Sequence, residues 1–293
     1  MTVSLTMIVR NEEADLPGCL ASCSGLFDEI VIVDTGSTDR TKEVAAAHVD
    51  KHGRPARVFD FAWSDDFAEA RNESVRLSTG DWIFWMDADD RIPAESAGRI
   101  SRLIESATEP TLYLMETFSS MRMPKGDVTR YCDRHVRLAP RRFCRWVRRL
   151  HEHIEMGHGV FVEAVGIAIE HVGYLDSSME HRQARNLHIA SRWLAEEPSE
   201  NWALFAVARS LVDCNRISEA FERYGELFGR VTRYTNPTLW AQAMERCCRQ
   251  AAPFERWDMY DLCLAELELH EPLSMRFIVP QLRLLDTRRR KPT

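Results

Sequence analysis

The chain has 293 residues, of which 45% are hydrophobic and 28% charged, and its formal net charge is −7. This length predicts two globular domains, and no apolar run is long enough to be a transmembrane segment. The negative charge argues against nucleic acid as a partner, and a start without a basic leader or small-residue cleavage site predicts a cytoplasmic location.

The first half of the chain alternates apolar, strand-like runs with helical patterns. The predicted strands are Val3 to Val9, Ile30 to Val33, Arg57 to Phe61 and Trp82 to Met86. The predicted helices lie near Leu16 to Leu26, from about Asp39, and at Asp66 to Leu77. This order predicts an α/β fold around a mostly parallel sheet. Because ligands of such sheets bind beyond the carboxyl ends of the strands, we expect chemistry in the residues that follow each strand.

The second half of the chain, from about Ser177, is helical throughout. We therefore expect a catalytic domain over residues 1–176 and an all-α domain over residues 177–293. Two stretches, Asn201 to Phe228 and Thr238 to Leu267, are predicted to be helical hairpins. The spacing of Ala220 and Tyr224 in the first is tetratricopeptide-like.

Large aromatic residues are frequent in the helical half. The second predicted hairpin and the chain after it contain more large apolar side chains than two isolated hairpins could readily bury; they are Trp240, Trp257, Tyr260 and Phe277. This excess predicts a partner surface for an acceptor or for a second copy of the chain, which would make a homodimer. Docking of the helices onto the sheet is the alternative.

Acidic residues gather after the predicted strands. Asp34 closes the second strand, and Asp87, Asp89 and Asp90 follow the fourth. Crowded carboxylates cost stability unless a cation neutralises them, and oxygen ligands suit Mn²⁺ or Mg²⁺. The sequence therefore predicts a divalent-metal site that could accept a diphosphate, with Asp34 placed to bind a ribose hydroxyl or a base N–H.

Helix capping is an alternative interpretation for some of these acids. Asp66 with Glu69 can form a capping box for the third helix, and Ser37, Thr38 or Asp39 can cap the second. For these residues both interpretations remain open.

Four segments in order resemble the family 2 glycosyltransferases of the GT-A fold. They are Met-Ile-Val-Arg-Asn-Glu-Glu at 7–13, Asp-Thr-Gly-Ser-Thr-Asp at 34–39, Asp-Phe-Ala-Glu-Ala-Arg-Asn at 66–72 and Asp-Ala-Asp-Asp at 87–90. The likeness covers roughly residues 3–195. It is greatest to the branch with tetratricopeptide-like helices after the catalytic domain. That branch includes sublancin-type peptide S-glycosyltransferases and lipopolysaccharide and cell-surface sugar transferases.

The resemblance assigns roles to individual residues. It places the nucleotide and donor sugar against Val9, Asn11, Glu12, Asp34, Asp66, Arg71, Asp87 and Ala88. It makes Asp87 and Asp89 the Asp-x-Asp metal motif, and His171, in Ile-Glu-His-Val-Gly-Tyr at 169–174, a further metal ligand. Glu152, in Leu-His-Glu-His-Ile at 150–154, would be the catalytic base, and Asp90 is the alternative base.

The resemblance implies an inverting transfer of a sugar from a nucleoside-diphosphate sugar, UDP-hexose above all, to a peptide side chain or a glycan. Mn²⁺ or Mg²⁺ would be the cofactor. One alternative is a nucleotidyltransferase, which should carry a glycine-rich basic loop where this chain has Arg10, Asn11 and Glu12. The other is a non-catalytic helical-repeat protein on a relic GT-A domain, against which the intact acidic motifs argue.

Overall fold

A computed structural model describes residues 1–122, 128–173, 179–270 and 279–286. The chain divides into two compact units, Met1–Met179 and Glu180–Thr293. The boundary predicted between residues 176 and 177 lies outside the described residues, as do Tyr174 and Phe277.

In the described residues of the first unit there are ten strands and four α-helices. The strands are β1 Val3–Val9, β2 Glu29–Asp34, β3 Arg57–Asp60, β4 Trp82–Trp85, β5 Asp90–Arg91, β6 Thr111–Arg122, β7 Val128–Pro140, β8 Trp146–Val147, β9 His153–Ile154 and β10 Phe161–His171. The helices are α1 Leu16–Ser22, α2 Thr41–Ala46, α3 Phe67–Leu77 and α4 Ala94–Ser106. Eight strands form one sheet in the order β3-β2-β1-β4-β7-β6-β10-β5, and β8 pairs with β9.

The first four strands of the sheet confirm the sequence prediction. β1 pairs in parallel with β2 and β4, and β2 pairs in parallel with β3. Nearly every residue of β1, β2 and β4 is buried. Continuous Val, Ile and Trp runs are typical of parallel strands that are covered on both faces. The predicted α/β fold class, with a mostly parallel central sheet followed by an all-α module, is confirmed.

Three long strands were not predicted from the sequence. β7 runs antiparallel between β4 and β6, and β10 pairs in parallel with β6. Residues 130–135 of β7 are all exposed, so no alternation of apolar and polar residues marks this strand. β10 places His171, a predicted metal ligand, opposite Asp90.

The described residues of the second unit form helices joined by short turns, with no β-strand among them. Its helices are α5 Met179–Glu196, α6 Asn201–Asp213, α7 Ile217–Arg230, α8 Pro237–Ala251, α9 Trp257–Leu269 and α10 Val279–Asp286. Both predicted hairpins are present as α6 with α7 and α8 with α9, and Ala220 and Tyr224 are fully buried in α7. Within the described residues, no helix combines the length and apolar character needed to cross a membrane.

Several large aromatic residues of this unit lie in its core, whereas Tyr234 is exposed. Trp240 and Tyr260 are buried, and the Tyr260 hydroxyl donates to the Leu282 carbonyl at 2.7 Å. Trp257 packs edge-on against Tyr260, with ring centroids 5.4 Å apart. Trp240 and Tyr260 are therefore buried rather than available to a partner, whereas Trp257 is half-buried. An interface of the helical unit with an acceptor or a second copy stays a prediction.

Candidate active site

The loops after β1 and β2 are tied to each other. The Asn11 N–H donates to Ser37 Oγ at 2.9 Å, and the Thr38 N–H donates to Asn11 Oδ1 at 2.8 Å. Asn11 has a left-handed backbone with φ of 56°, which asparagine tolerates better than most residues. The next N–H, of Glu12, donates to Thr41 Oγ1 at 2.7 Å. Asn11 and Glu12 are thus fixed beside the second acidic motif.

Asp34 has one carboxylate oxygen that is not satisfied. Its Oδ1 accepts from the N–H groups of Gly36 at 3.0 Å and Ser37 at 2.9 Å. Its Oδ2 is buried and has no hydrogen-bond partner among the described residues. Beside it, the carbonyl of buried Val9 accepts the Thr35 N–H at 2.9 Å. A buried carboxylate oxygen without a donor is costly, so this position favours a ligand that brings an N–H or O–H.

The Asp-Phe-Ala-Glu-Ala-Arg-Asn motif builds the start of α3. Asp66 caps this helix by accepting the Glu69 N–H at 2.9 Å, as the capping interpretation predicts. The Glu69 carboxylate accepts from Ser64 Oγ instead of closing the box. The Asn72 amide makes two 2.9 Å hydrogen bonds to the backbone of Trp146, which fixes β8 against α3.

The second helix has Arg40 as its N-cap, and the side chain of that residue does not cap it; the residue before it, Asp39, serves the helix start instead. Asp39 Oδ1 accepts the Thr41 N–H at 3.0 Å, so Asp39 satisfies a donor in the first turn of α2. Ser37 and Thr38 make hydrogen bonds to the loop after β1.

Arg71 joins two predicted functional carboxylates. Its Nε donates to Glu152 Oε1 at 2.7 Å and its terminal nitrogen donates to Asp87 Oδ1 at 2.8 Å. The guanidinium also lies over the rings of Trp85 and Trp146, at 4.6 and 4.7 Å from their centroids. Burial alone would lower the pKa of Arg71, but the two carboxylates raise it, so Arg71 stays charged.

Asp90 is the centre of a buried network. Its Oδ2 accepts from the Arg137 guanidinium at 2.7 Å and from the Asp87 N–H at 3.0 Å, and its Oδ1 lies 3.0 Å from His171 Nδ1. Burial would raise the pKa of Asp90, but Arg137 and His171 hold it well below its usual range. A fully buried carboxylate with this many partners does not fit the alternative role of a base for an acceptor.

Arg137 was missed in the sequence analysis. It lies on β7 with 1% of its surface exposed, and it also donates to Thr117 Oγ1 at 3.1 Å and stacks on Trp85 at 3.8 Å. The sequence gives little sign that Arg137 is buried, because an arginine within an exposed polar run resembles a surface residue.

Asp89, Asp90 and His171 together form a candidate metal site. One ligand atom of each lies within 4.8 Å of the others. Burial raises the pKa of Asp89 to about 6, with contributions from Asp87 and Asp90, and the charge of His171 opposes this rise. Such crowding of carboxylates fits a divalent cation, which would remove the repulsion. The predicted metal residues Asp89 and His171 belong to this group, whereas Asp87 is bound to Arg71.

Two further features fix the segment of residues 87–90 that carries the acidic motif. A Cβ at Gly173 would lie 1.9 Å from Asp89 Oδ2, so only glycine leaves room for that carboxylate. Ala88, predicted to contact the donor, is buried, and its carbonyl accepts from Arg91 at 3.0 Å.

Residues 4–113 match the model of the glycosyl transferase family 2. Glycosyltransferase SunS, encoded by the SPbeta prophage of Bacillus subtilis, is 23% identical over 257 residues, which are 84% of this chain and 58% of SunS. A TPR repeat-containing protein of Synechococcus elongatus is 44% identical over 94 residues, which are 32% of this chain and 22% of that protein. The crystal structure of S. aureus TarS 1–349 is similar over 92% of both chains, with 14% identity and a TM-score of 0.47.

This chain spans less than two thirds of the length of these two sequence relatives, with 58% of SunS and 22% of the cyanobacterial protein covered.

Proposed function

We propose that this chain, which contains a glycosyl transferase family 2 domain, transfers a sugar from a nucleoside-diphosphate sugar to an acceptor with inversion at the anomeric carbon. The observation that carries this proposal is the bridge made by Arg71. It holds Glu152, the proposed base, and Asp87, the proposed donor ligand, on one guanidinium beside the group of Asp89, Asp90 and His171.

The donor is proposed to bind at the carboxyl ends of β1, β2 and β4. Asn11, Glu12 and Asp34 surround the nucleoside, and the unsatisfied Asp34 Oδ2 takes an N–H or hydroxyl from it. A carboxylate oxygen can accept the N3–H of uracil, whereas cytosine has a lone pair at N3 and offers N–H donors only at its exocyclic N4. Asp34 Oδ2 placed against N3 of the base would therefore favour UDP over CDP as the leaving group.

Mn²⁺ or Mg²⁺ is proposed to bind to Asp89 and His171. Asp90 orients the His171 ring through Nδ1, as carboxylates commonly do for metal-binding histidines. When bound, the metal supplies positive charge to the diphosphate. Arg71 adds a buried permanent cation to the same region, held in place by two carboxylates and two indole rings.

Transfer is proposed to be a single displacement. Glu152 accepts the proton of the acceptor nucleophile as that nucleophile bonds to the anomeric carbon, and the bond from this carbon to the diphosphate oxygen breaks. Glu152 uses Oε1 for Arg71, and none of the described residues donates to its Oε2. The acceptor is proposed to be a peptide side chain or a glycan, and the transferred sugar a hexose.

The test is binding and hydrolysis with a panel of nucleotides. We expect UDP with Mn²⁺ to bind about tenfold or more tightly than CDP with Mn²⁺, and Asp34→Asn to remove this difference. UDP-hexose should be slowly hydrolysed in the presence of Mn²⁺. Turnover of nucleoside triphosphates in place of UDP-sugars would show a nucleotidyltransferase, and no nucleotide binding at all would show a non-catalytic protein.

A further inference from the structure

The side chain of Asn72 on α3 takes the place of a neighbouring strand for Trp146. Its Nδ2 donates to the Trp146 carbonyl at 2.9 Å, and its Oδ1 accepts the Trp146 N–H at 2.9 Å. A primary amide presents a donor and an acceptor side by side, so it satisfies both backbone groups of one residue. Within the described part of the chain, Asn72 makes no other hydrogen bond. Its hydrogen bonding is therefore directed at the backbone of a single residue.

Trp146 begins a short ribbon that carries Glu152. The two strands of this ribbon, β8 and β9, have two residues each and pair with each other, and Glu152 is the last residue of the turn between them. An isolated pair of strands is at best marginally stable in water even when the strands are longer. The β8–β9 ribbon, residues 146–154, therefore depends on contacts with other elements for its position.

The turn of the ribbon is not held by its own backbone preferences. Arg148 and His151 have left-handed backbones, with φ of 75° and 57°. This conformation is unfavourable for side chains other than glycine, and it persists where the surrounding structure imposes it. Glu152 follows His151 directly. If the ribbon lost its external contacts, the turn would relax and the Glu152 carboxylate would move with it.

Helix α3 supplies such contacts over residues 67–72. The Phe67 N–H is in the first turn of the helix, where it has no intrahelical acceptor, and it donates to the Arg149 carbonyl at 3.0 Å. Arg71 Nε donates to Glu152 Oε1 at 2.7 Å. Asn72 follows with its two hydrogen bonds to the start of β8. The helix thus fixes the middle of the turn, the carboxylate and the first strand of the ribbon.

Arg71 has partners outside the ribbon that the ribbon itself lacks. Its terminal nitrogen donates to Asp87 at 2.8 Å, and its guanidinium lies 4.6 Å from the ring centroid of Trp85. Both partners belong to β4 or to the segment directly after it. The guanidinium should therefore keep its place when the ribbon moves, so that loss of the Asn72 anchor affects Glu152 more than the proposed donor site.

From this arrangement we infer that Asn72 is a positioning residue for Glu152, which acts through the backbone of Trp146. The inference rests on the proposed function, in which Glu152 is the base. A base must lie within hydrogen-bond reach of the proton that it accepts, and a displacement of about 1 Å can lower the rate about 100-fold. The donor is proposed to bind at the ends of β1, β2 and β4. Loss of the amide should therefore slow the chemical step and leave donor binding unchanged.

The test compares Asn72→Ala, which removes both hydrogen bonds, with Asn72→Asp, which keeps the shape but turns a second acceptor towards the Trp146 carbonyl. The reaction is hydrolysis with Mn²⁺ of whichever of UDP-glucose, UDP-galactose and UDP-N-acetylglucosamine the parental chain cleaves fastest, with water in place of the acceptor. We expect kcat to fall about 10–100-fold in both variants. KM for the donor and the calorimetric Kd of UDP should stay within about twofold of the parental values.

The matched control is Glu73→Ala. Glu73 is the next residue on α3 and pairs with Arg76 of the same helix, so this variant should keep the parental kcat.

Hydrogen exchange measures the ribbon without reference to catalysis. The Glu155 N–H donates to the Arg145 carbonyl at 2.8 Å beside the ribbon, and its exchange should become about tenfold faster or more in both Asn72 variants. A parental chain that hydrolyses no UDP-hexose would overturn the proposed function and the inference with it. The inference alone would be overturned by parental kcat in both Asn72 variants, by a UDP affinity that falls as far as kcat, by unchanged exchange at Glu155, or by loss of the native near-ultraviolet circular dichroism in both variants.

Discussion

Arg137 on β7 and Asp90 after β4 form an ion pair of 2.7 Å in which both side chains are almost completely buried. Asp90 in turn contacts His171 and the backbone of Asp87, so the arginine supports the proposed metal site without belonging to it.

Arg137→Met should leave Asp90 as a buried, uncompensated charge. We expect the free energy of unfolding to fall by about 3–5 kcal/mol, measured by urea denaturation, and Mn²⁺ affinity to fall as well. Arg134→Met is the control, because Arg134 lies on the same strand and pairs with Glu116 at the surface. Adding Asp90→Asn to Arg137→Met should restore part of the stability but not the metal affinity. A stability loss no larger than that of the control would contradict the network.

Gly173→Ala should displace Asp89, because the new Cβ would lie 1.9 Å from Oδ2 of that carboxylate. We expect the affinity for Mn²⁺ with UDP to fall about tenfold or more, measured by calorimetry. Gly98→Ala in α4 is the control, since its Cβ would meet only Arg102 at 3.8 Å. Unchanged affinity in Gly173→Ala would show that Asp89 does not hold the metal.

Glu152→Gln should separate donor binding from transfer. The amide keeps the shape of the side chain but cannot accept a proton, so the transfer rate should fall about 10²–10⁴-fold. UDP should still bind, because Asp87 continues to hold Arg71. Glu155→Gln is the matched control, since Glu155 pairs with Arg145 at the surface. Near-normal transfer in Glu152→Gln would assign the base elsewhere.

Glu29 should contribute to acid sensitivity of the fold. Burial would raise its pKa, but the Ser4 hydroxyl, the Thr79 N–H and Arg57 lower it below the ordinary value. Because the folded pKa is the lower one, the stabilisation is fully present above the unfolded pKa of about 4.3 and is lost as pH falls through the folded pKa. A glutamate carboxyl titrates between roughly pH 5 and pH 3. Over this range the free energy of unfolding should fall less steeply in Glu29→Gln than in the parental chain. Chemical denaturation at several pH values measures both slopes, and equal slopes would exclude this role.

The sequence by itself determined many of the secondary-structure elements, because these depend on the pattern of neighbouring residues. β1 to β4, α3 and the hairpins of the second unit were predictable because continuous apolar runs, helical periodicity and caps are properties of neighbouring residues. The acidic motifs were predictable as a group for the same reason, since each follows directly after a strand.

Tertiary structure decided which partner each charged residue takes. Arg71 meets Glu152 across 81 residues of sequence, and Arg137 meets Asp90 across 47. No sequence period connects such positions. A buried charge is stabilised by whichever group the fold brings within a few ångströms, and that pairing depends on strand order and helix packing rather than on spacing along the chain.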